Sequence, residues 1–505
     1  MSLAGWFASR PEPQSYEEWK LAAIARDESS GHARWKATDR TALYDYATVR
    51  TRLTQLRRVL DDQDDVGLLT ALDEGVHGNV GGMGRAELYS HARFGTKDLI
   101  TEYIDAVCEG LARLAVCPDS AVSRADKRDL LDRALLSFGS SALLLSGGGV
   151  YGNFHVGVVK ALVEQDLLPN VISGSSAGAL IAAIIGTHTQ TELRRALDER
   201  HLLIEKRREA SMMRSGFKGL LPRFDVQQVE RHIERLVPDL TFREALALTG
   251  IRINLSVSPA QAHQSPRLLN AATTPHVLLR SAVMASCSVP GVFPPAMLVA
   301  RGRNGEPKPY LPERRWYDGS VSEDVPSRRL SRLYGVNHAI VSQVNPFALA
   351  LTRHQSEGPG LMSPVLNFWH QSGLHVARAW QRLAGQQSRS WPGLSFAING
   401  LVSVLSQNYR GDINILPKLG MVKAWRGMKA PTERELRALI AAGERATWPK
   451  VEMIRNCTRI GRVLEQIDAR GVLSQAKAAA ASSAMVNVKM RAVRRAPSVG
   501  ARSVQ

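Results

Sequence analysis

The chain has 505 residues, 44% hydrophobic and 22% charged, so it is long enough for a large core and more than one module. Its 65 basic and 47 acidic residues give a net charge of +18, which suits contact with nucleic acid, anionic lipid or acidic protein. No run of 18 or more residues is continuously apolar, which predicts no transmembrane helix, and the four cysteines have neither disulfide nor metal spacing.

The N-terminal part of the chain has a mostly helical pattern. Residues 1–15 are expected to form a loose leader whose apolar run is too short for a signal peptide, so we expect cytosolic synthesis. Amphipathic spacing predicts helices over residues 44–60 and 97–114, and a glycine-rich stretch at 76–84 is interpreted as a connection. Residues 119–138 are charged and predicted to be a helical linker.

The next segment combines two glycine-rich turns in one β-α-β frame. Residues 142–145 (ALLL) predict a buried parallel strand that runs into three glycines at 147–149. An apolar face over residues 155–163 predicts a helix, and residues 171–172 begin a second strand. Residues 174–178 (GSSAG) form a G-x-S-x-G sequence that leads into another apolar helix. Two such turns in one frame are far more specific than either alone.

This arrangement predicts an acyl-transfer site. A strand-to-helix turn exposes the central Ser176, and the flanking Gly174 and Gly178 let that turn close without a clash from a side chain. Backbone N–H groups of a glycine loop on the neighbouring strand can hold the oxyanion of a tetrahedral intermediate. The candidate oxyanion-hole residues are Gly147, Gly148 and Gly149.

Further strands and helices complete an α/β pattern towards the C-terminus. Buried strands are predicted over residues 251–259, 338–344 and 411–416. Helices are predicted over residues 277–287 and 432–468. We therefore expect an α/β fold with a central, mostly parallel sheet.

Two candidate bases can serve Ser176. The chain order Ser176, Asp318, His338 matches the order of an α/β-hydrolase triad, but His338 begins a predicted strand instead of following one. In the alternative, Asp318 takes the serine proton directly, aimed by the tight turn that Asp318 and Gly319 form. An aspartate with the usual pKa of about 3.9 is a weak base, so this dyad needs close contact and a water-poor site.

Three motifs, GGGVYGNFH, GSSAG and DGS, together resemble those of the patatin-like phospholipases. The resemblance implies a three-layer α/β/α fold and a Ser–Asp dyad without histidine, with Ser176 as nucleophile and Asp318 as base. Gly147 to Gly149 correspond to the family's oxyanion loop. The serine after Asp318-Gly319 stands where many members have glycine or alanine.

The N-terminal segments YEEWKLAAIARDESSG and NVGGMGRAELYSHARFGTK resemble the helical domain that precedes the patatin domain in fungal and plant triacylglycerol lipases. The resemblance covers roughly residues 15 to 420. The expected organisation is a leader (1–15), a helical N-terminal domain (16–118), a linker (119–140), a patatin-like catalytic domain (141–345), a C-terminal extension with interfacial and helical segments (346–468) and a basic disordered tail (469–505).

The resemblance implies hydrolysis of fatty acyl esters of glycerol, either triacylglycerol or phospholipid, without metal or cofactor. Some family members also transfer acyl groups to lysophospholipids, and in this chain such transfer would have to run through Ser176 because no histidine has an aspartate five residues on. A different class of function stays open, in which the chain is a lipid-surface binding or scaffold protein that no longer turns over.

The positive charge favours a lipid surface over nucleic acid. The basic residues are spread along the chain without a nucleic-acid recognition motif, so no specific nucleic-acid partner is expected. We expect peripheral association with a membrane or lipid droplet, aided by an apolar segment at 394–405 and by basic residues such as Arg207, Arg208, Arg214 and Lys218.

Overall fold

The structure is a computed structural model of the chain. It describes residues 12–76, 78–197, 213–214, 223–224, 226–261, 264–345, 348–349, 411–418 and 432–469. The predicted interfacial segment at 394–405, the basic residues Arg207, Arg208 and Lys218, and all but the first residue of the predicted tail lie outside the described residues.

The described residues form the following helices and strands. The helices are α1 (Tyr16–Ser29), α2 (His32–Ala37), α3 (Tyr46–Asp61), α4 (Asp65–Gly75), α5 (Asp98–Val116), α6 (Arg124–Phe138), α7 (Asn153–Glu164), α8 (Ala177–Thr187), α9 (Gln190–Leu197), α10 (Val226–Leu236), α11 (Phe242–Thr249), α12 (Leu279–Cys287), α13 (Ser327–Tyr334), α14 (Glu433–Thr447) and α15 (Val451–Ala469). The strands are β1 (Ser140–Leu145), β2 (Val171–Gly174), β3 (Met213–Arg214), β4 (Arg223–Phe224), β5 (Arg252–Pro259), β6 (Arg267–Asn270), β7 (Leu298–Arg301), β8 (Pro307–Tyr310), β9 (Trp316–Asp318), β10 (Val336–Ser342) and β11 (Ile413–Ile415).

The chain divides into two compact units. The first consists of Met1–Thr38, Gly84–Thr96 and Ser140–Thr458, and the second of Asp39–Met83, Lys97–Gly139 and Arg459–Gln505. Each unit is assembled from segments that are separated in the sequence. The six segments listed from the sequence remain a prediction.

The described residues of the second unit form helices, as the amphipathic spacing of residues 44–60 and 97–114 predicts. In α3, Val49, Leu53 and Leu56 follow one another at helical spacing on a single buried face. The Tyr103 hydroxyl of α5 donates to the carbonyl of Gly75 at the end of α4, at 3.0 Å. That bond satisfies a carbonyl that the helix end leaves without a partner inside α4.

The first unit contains a seven-stranded sheet in the order β11-β10-β1-β2-β5-β6, with β9 paired to β5. Strands β11, β10, β1, β2 and β5 run parallel, while β6 and β9 run antiparallel to β5. This mostly parallel sheet with its helices confirms the predicted α/β fold class. The short apolar runs predicted as buried strands are fully covered because helices pack on the sheet.

One face of the sheet packs against α13. Leu144 of β1 and Val341 of β10 belong to a buried cluster with Leu330 of α13. Burying a leucine side chain of this kind contributes about 1.5–3 kcal/mol. The cluster fixes α13, and with it the segment between β9 and α13 that follows Asp318.

Several element boundaries differ from the predictions. The strand predicted at 338–344 spans Val336–Ser342, so His338 lies inside it. The helix predicted at 432–468 is two helices, α14 and α15, separated by a 3₁₀ turn at Trp448–Lys450 that contains Pro449. Proline has no backbone N–H to continue the hydrogen-bond ladder, which explains the break. In the described residues, no helix is long and apolar enough to cross a membrane.

Candidate active site

The two glycine-rich turns meet at one edge of the sheet. Strands β1 and β2 are parallel neighbours, and Leu145 at the end of β1 pairs with Gly174 at the end of β2. The carboxyl ends of adjacent parallel strands lie side by side, where ligands bind in open α/β sheets. The glycine loop that follows β1 and the serine turn that follows β2 are therefore brought together, as the sequence predicts.

Ser176 lies on a strained turn between β2 and α8. Its backbone angles are φ 51° and ψ −122°, a region that residues with a side chain rarely occupy. A Cβ at Gly174 would meet the backbone of Gly178, and a Cβ at Gly178 would meet the carbonyl of Leu145. The turn therefore needs both glycines of the G-x-S-x-G sequence. The Ser176 N–H donates to the Ser286 hydroxyl at 3.0 Å, which helps to hold the strained conformation.

Asp318 is the partner of Ser176. It ends β9, opposite Val257 of β5, and its carboxylate accepts the Ser320 N–H at 2.8 Å, while the neighbouring Ser176 side chain lowers its pKa. Only 1% of its surface is exposed. Burial raises the pKa of Asp318 from 3.8 to about 6, although the neighbouring Ser176 and Ser320 oppose this shift.

The glycine loop contacts the serine closely. A Cβ at Gly147 would lie 2.8 Å from the Cβ of Ser320 and 3.3 Å from that of Ser176, so a larger residue would displace these side chains. The Gly147 N–H donates to the Asp324 carboxylate at 2.8 Å and is not directed to a substrate. In the described part of the chain, the N–H groups of Gly148 and Gly149 donate to no protein acceptor. Of the three glycines predicted as donors, these two have available N–H groups.

Asp324 is a residue that sequence reasoning missed. It is 1% exposed and accepts hydrogen bonds from Gly147 N–H, the Ser175 hydroxyl and the Asn345 amide. Burial raises its pKa from 3.8 to about 6. An aspartate two residues before a proline is typical of a turn, so the sequence carried no specific signal of these contacts.

His338 is not part of the site. It pairs with Ser141 at the beginning of β1, whereas Ser342, four residues further along β10, pairs with Leu145 at the catalytic edge. Four residues of a strand span about 13 Å, so the triad with His338 as base does not fit the geometry. Burial lowers the pKa of His338, and nearby Asp412 opposes the shift.

His155 lies beneath the glycine loop in a neutral form. Its Nδ1 is 2.7 Å from the Ser342 hydroxyl and its Nε2 is 2.9 Å from the carbonyl of Ser146, the residue before Gly147. Burial lowers its pKa to about 4. Both ring nitrogens are used to fix β10 and the start of the loop, so His155 supports the site without exchanging protons. Within the described ranges, no cluster of three or more His, Cys, Asp or Glu residues is suited to hold a metal.

Fold and site together define a class: an α/β protein with a serine on a strained strand-to-helix turn, beside a buried aspartate. The comparison with known protein families supports this class. Residues 143–330 match the model of the patatin-like phospholipases, and residues 8–135 match a domain of unknown function, DUF3336.

Curated relatives match most of the chain. Triacylglycerol lipase ptl3 of Schizosaccharomyces pombe is 34% identical over 457 residues, which cover 88% of this chain and 92% of the relative. Triacylglycerol lipases 4 and 5 of Saccharomyces cerevisiae are 34% and 32% identical, with coverage of 89% and 88% of this chain. The chain belongs to the patatin-like phospholipase family.

The chain spans 51% and 62% of the length of the two Saccharomyces cerevisiae lipases. Among solved structures, VipD from Legionella pneumophila matches 43% of this chain and 53% of its own, at a TM-score of 0.25 and 14% identity. A similarity of that size supports no argument about fold or function.

Proposed function

We propose that the chain hydrolyses fatty acyl esters of glycerol through a Ser176–Asp318 dyad. The observation that carries this proposal is the placement of Ser176, on its strained turn, beside the buried Asp318, whose pKa it lowers, and next to a glycine loop with two available N–H groups. The printed names of the fungal relatives favour triacylglycerol as the substrate.

In the first half-reaction, Asp318 accepts the hydroxyl proton of Ser176 as the serine oxygen attacks the ester carbonyl. The carbonyl oxygen becomes an oxyanion, which the N–H groups of Gly148 and Gly149 stabilise. The intermediate collapses to an acyl-enzyme when the glyceride oxygen leaves with the proton from Asp318. Water, deprotonated by Asp318, then attacks the acyl-enzyme, and the fatty acid is released as the Ser176 oxygen leaves and takes the proton back from Asp318.

Asp318 suits this role because its basicity is raised. A general base works best when its pKa lies near the working pH, and burial brings the pKa of Asp318 to about 6. The 1% exposure of Asp318 and the 8% exposure of Ser176 also limit competition from water for the shared proton. A histidine is therefore not needed as an intermediary.

The substrate is taken from a lipid surface. We propose peripheral association with a membrane or lipid droplet, supported by the net charge of +18. Each basic residue near an anionic surface contributes about 1 kcal/mol to such binding. Salt that screens these charges should reduce vesicle binding without changing turnover of a soluble ester.

The test compares fatty-acid release from emulsified triacylglycerol and from phospholipid vesicles by the wild type, Ser176→Ala and Asp318→Asn. Ser331→Ala is a matched control because Ser331 is an exposed serine on α13. We expect release by the wild type and the control, and its loss in both dyad variants. Release that is unchanged in Ser176→Ala would exclude the dyad. A folded wild type that binds vesicles and releases nothing would indicate a lipid-binding protein instead.

A further inference from the structure

A second buried carboxylate, Asp324, lies at the catalytic edge of the sheet and has no role in the proton transfers described above. It is located six residues after Asp318, between β9 and α13. Both carboxyl groups are 1% exposed, and the negative charge of Asp324 contributes to the raised pKa of Asp318. Burying a second carboxylate costs free energy, which the hydrogen bonds of Asp324 must offset.

The contacts of Asp324 connect three separate segments. Its Oδ1 accepts the Gly147 N–H at 2.8 Å and also accepts the Ser175 hydroxyl. Its Oδ2 accepts the Asn345 amide at 3.4 Å. These partners follow β1, β2 and β10, so one side chain joins the ends of three adjacent parallel strands.

We propose that Asp324 is a positioning residue that holds the oxyanion loop in register with the nucleophile. Its Oδ1 is shared by Gly147, the first residue of that loop, and Ser175, the residue directly before Ser176. The inference rests on the proposed hydrolysis, and it assigns to Asp324 the distance between the attacking oxygen and the groups that stabilise the oxyanion.

The glycine loop needs a side chain that holds its backbone in place. A glycine loop is conformationally permissive, so its N–H groups have no fixed direction unless something holds the peptide units. The bond from Gly147 to Asp324 fixes the first peptide of the loop and leaves the N–H groups of Gly148 and Gly149 for the substrate. Catalytic groups must be held to within about 0.5 Å of their productive positions, and loss of one oxyanion donor slows an enzyme by about a hundred- to a thousandfold.

The hydrogen bonds of Asp324 can be separated from its charge. In Asp324→Asn, the amide oxygen can still accept from Gly147 and Ser175, while the negative charge and the acceptor for the Asn345 amide are lost. In Asp324→Ala, both the acceptor and the charge are lost. The neighbouring Glu323→Gln is a matched control because Glu323 pairs with Arg329, at 2.8 Å, and not with the loop.

The experiment measures kcat and KM for a soluble short-chain ester, the pH profile of kcat/KM, and the rate at which a fluorophosphonate labels Ser176. We expect Asp324→Ala to lower kcat about ten- to a thousandfold, with KM within about twofold of the wild type. Asp324→Asn should keep kcat within about tenfold of the wild type. Glu323→Gln should match the wild type in every readout.

The pH profile distinguishes positioning next to the dyad from a merely structural role. Asp324 raises the pKa of Asp318, so removal of its charge in Asp324→Asn should move the acid limb of kcat/KM to lower pH. Wild-type kcat in Asp324→Ala would overturn the proposal. So would equal losses in both Asp324 variants that follow a fall in melting temperature, with an unmoved acid limb.

If Asp324→Ala does not fold, Ser175→Ala and Asp324→Asn test the positioning role of Asp324 instead. Ser175→Ala removes one donor to Oδ1 and leaves the other, so a reduced kcat and slower labelling are expected, whereas wild-type values would overturn the proposal. A wild type that cleaves no ester and is not labelled would refute the proposed hydrolysis itself. An active wild type whose Asp324 variants have the same activity would refute only the positioning role of Asp324.

Discussion

With the buried Asp318 as the proposed base, activity should be sensitive to mildly acidic pH. Only ionised Asp318 can accept the Ser176 proton, and burial raises its pKa from 3.8 to about 6. Besides Ser176 and Ser320, the groups that face it are Asp324, which raises its pKa, and Cys287, whose own pKa is raised by burial. Lowering the pH from 8 to 5 should therefore titrate the base within the range where most proteins stay folded.

The size of the fall in kcat/KM follows from the raised pKa of Asp318. With a pKa of about 6, roughly a tenth of Asp318 is ionised at pH 5, so kcat/KM should fall to about 10% of its plateau. With the ordinary pKa of 3.8, about 94% would be ionised at the same pH, and activity would hardly change. The two cases differ about tenfold at a single pH.

The assay uses a soluble short-chain ester, because lipid emulsions change their own surface charge with pH. Product is quantified by chromatography after quenching, so that the detection does not depend on pH, and circular dichroism checks that the fold persists at pH 5. The midpoint of the acid limb should lie near pH 6 and change little with temperature, as expected for a carboxyl group. A midpoint near pH 4, or one with the strong temperature dependence of an imidazole, would refute the assignment of Asp318 as a base with a raised pKa.

Three further predictions concern stability, each checked by chemical denaturation. Ser176→Gly should be more stable than Ser176→Ala by about 1–3 kcal/mol, because glycine adopts a φ of 51° without strain. Asp318→Asn should raise the free energy of unfolding by up to about 3 kcal/mol above pH 6, since the raised pKa means that ionised Asp318 destabilises the fold as pH rises, and this gain should vanish near pH 4. The difference in stability between the wild type and His155→Gln should shrink as the pH falls from 6.5 towards 4. The lowered pKa means that neutral His155 stabilises the fold, and protonation in acid removes that stabilisation.

The proposed nucleophile and base could be predicted from sequence because their constraints are local. Ser176 is flanked by glycines that a strained turn requires, and Asp318 is followed by the glycine of a tight turn. Parallel strands in consecutive order then bring the glycine loop and the serine turn to the same edge of the sheet. Local chemistry and a simple topology are enough for this part of the site.

Asp324 was not accessible in this way, because its contacts are with three segments that meet only in the folded chain. Gly147, Ser175 and Asn345 are 177, 149 and 21 residues from it in sequence. For the same reason, the sequence could not reveal that the N–H of Gly147 is already engaged. The break between α14 and α15 is different, because Pro449 can be seen in the sequence. The prediction of one helix over residues 432–468 followed the periodicity and did not take this proline into account.

The central claim is that Ser176 carries the acyl group during turnover. The most direct measurement is rapid acid quenching of the wild type with triacylglycerol, followed by mass spectrometry of the peptide that contains Ser176. We predict a fatty acyl adduct on Ser176, which is absent in Ser176→Ala and forms more slowly in Asp318→Asn. Fatty-acid release that persists in Ser176→Ala, or an adduct on another residue, would contradict this account.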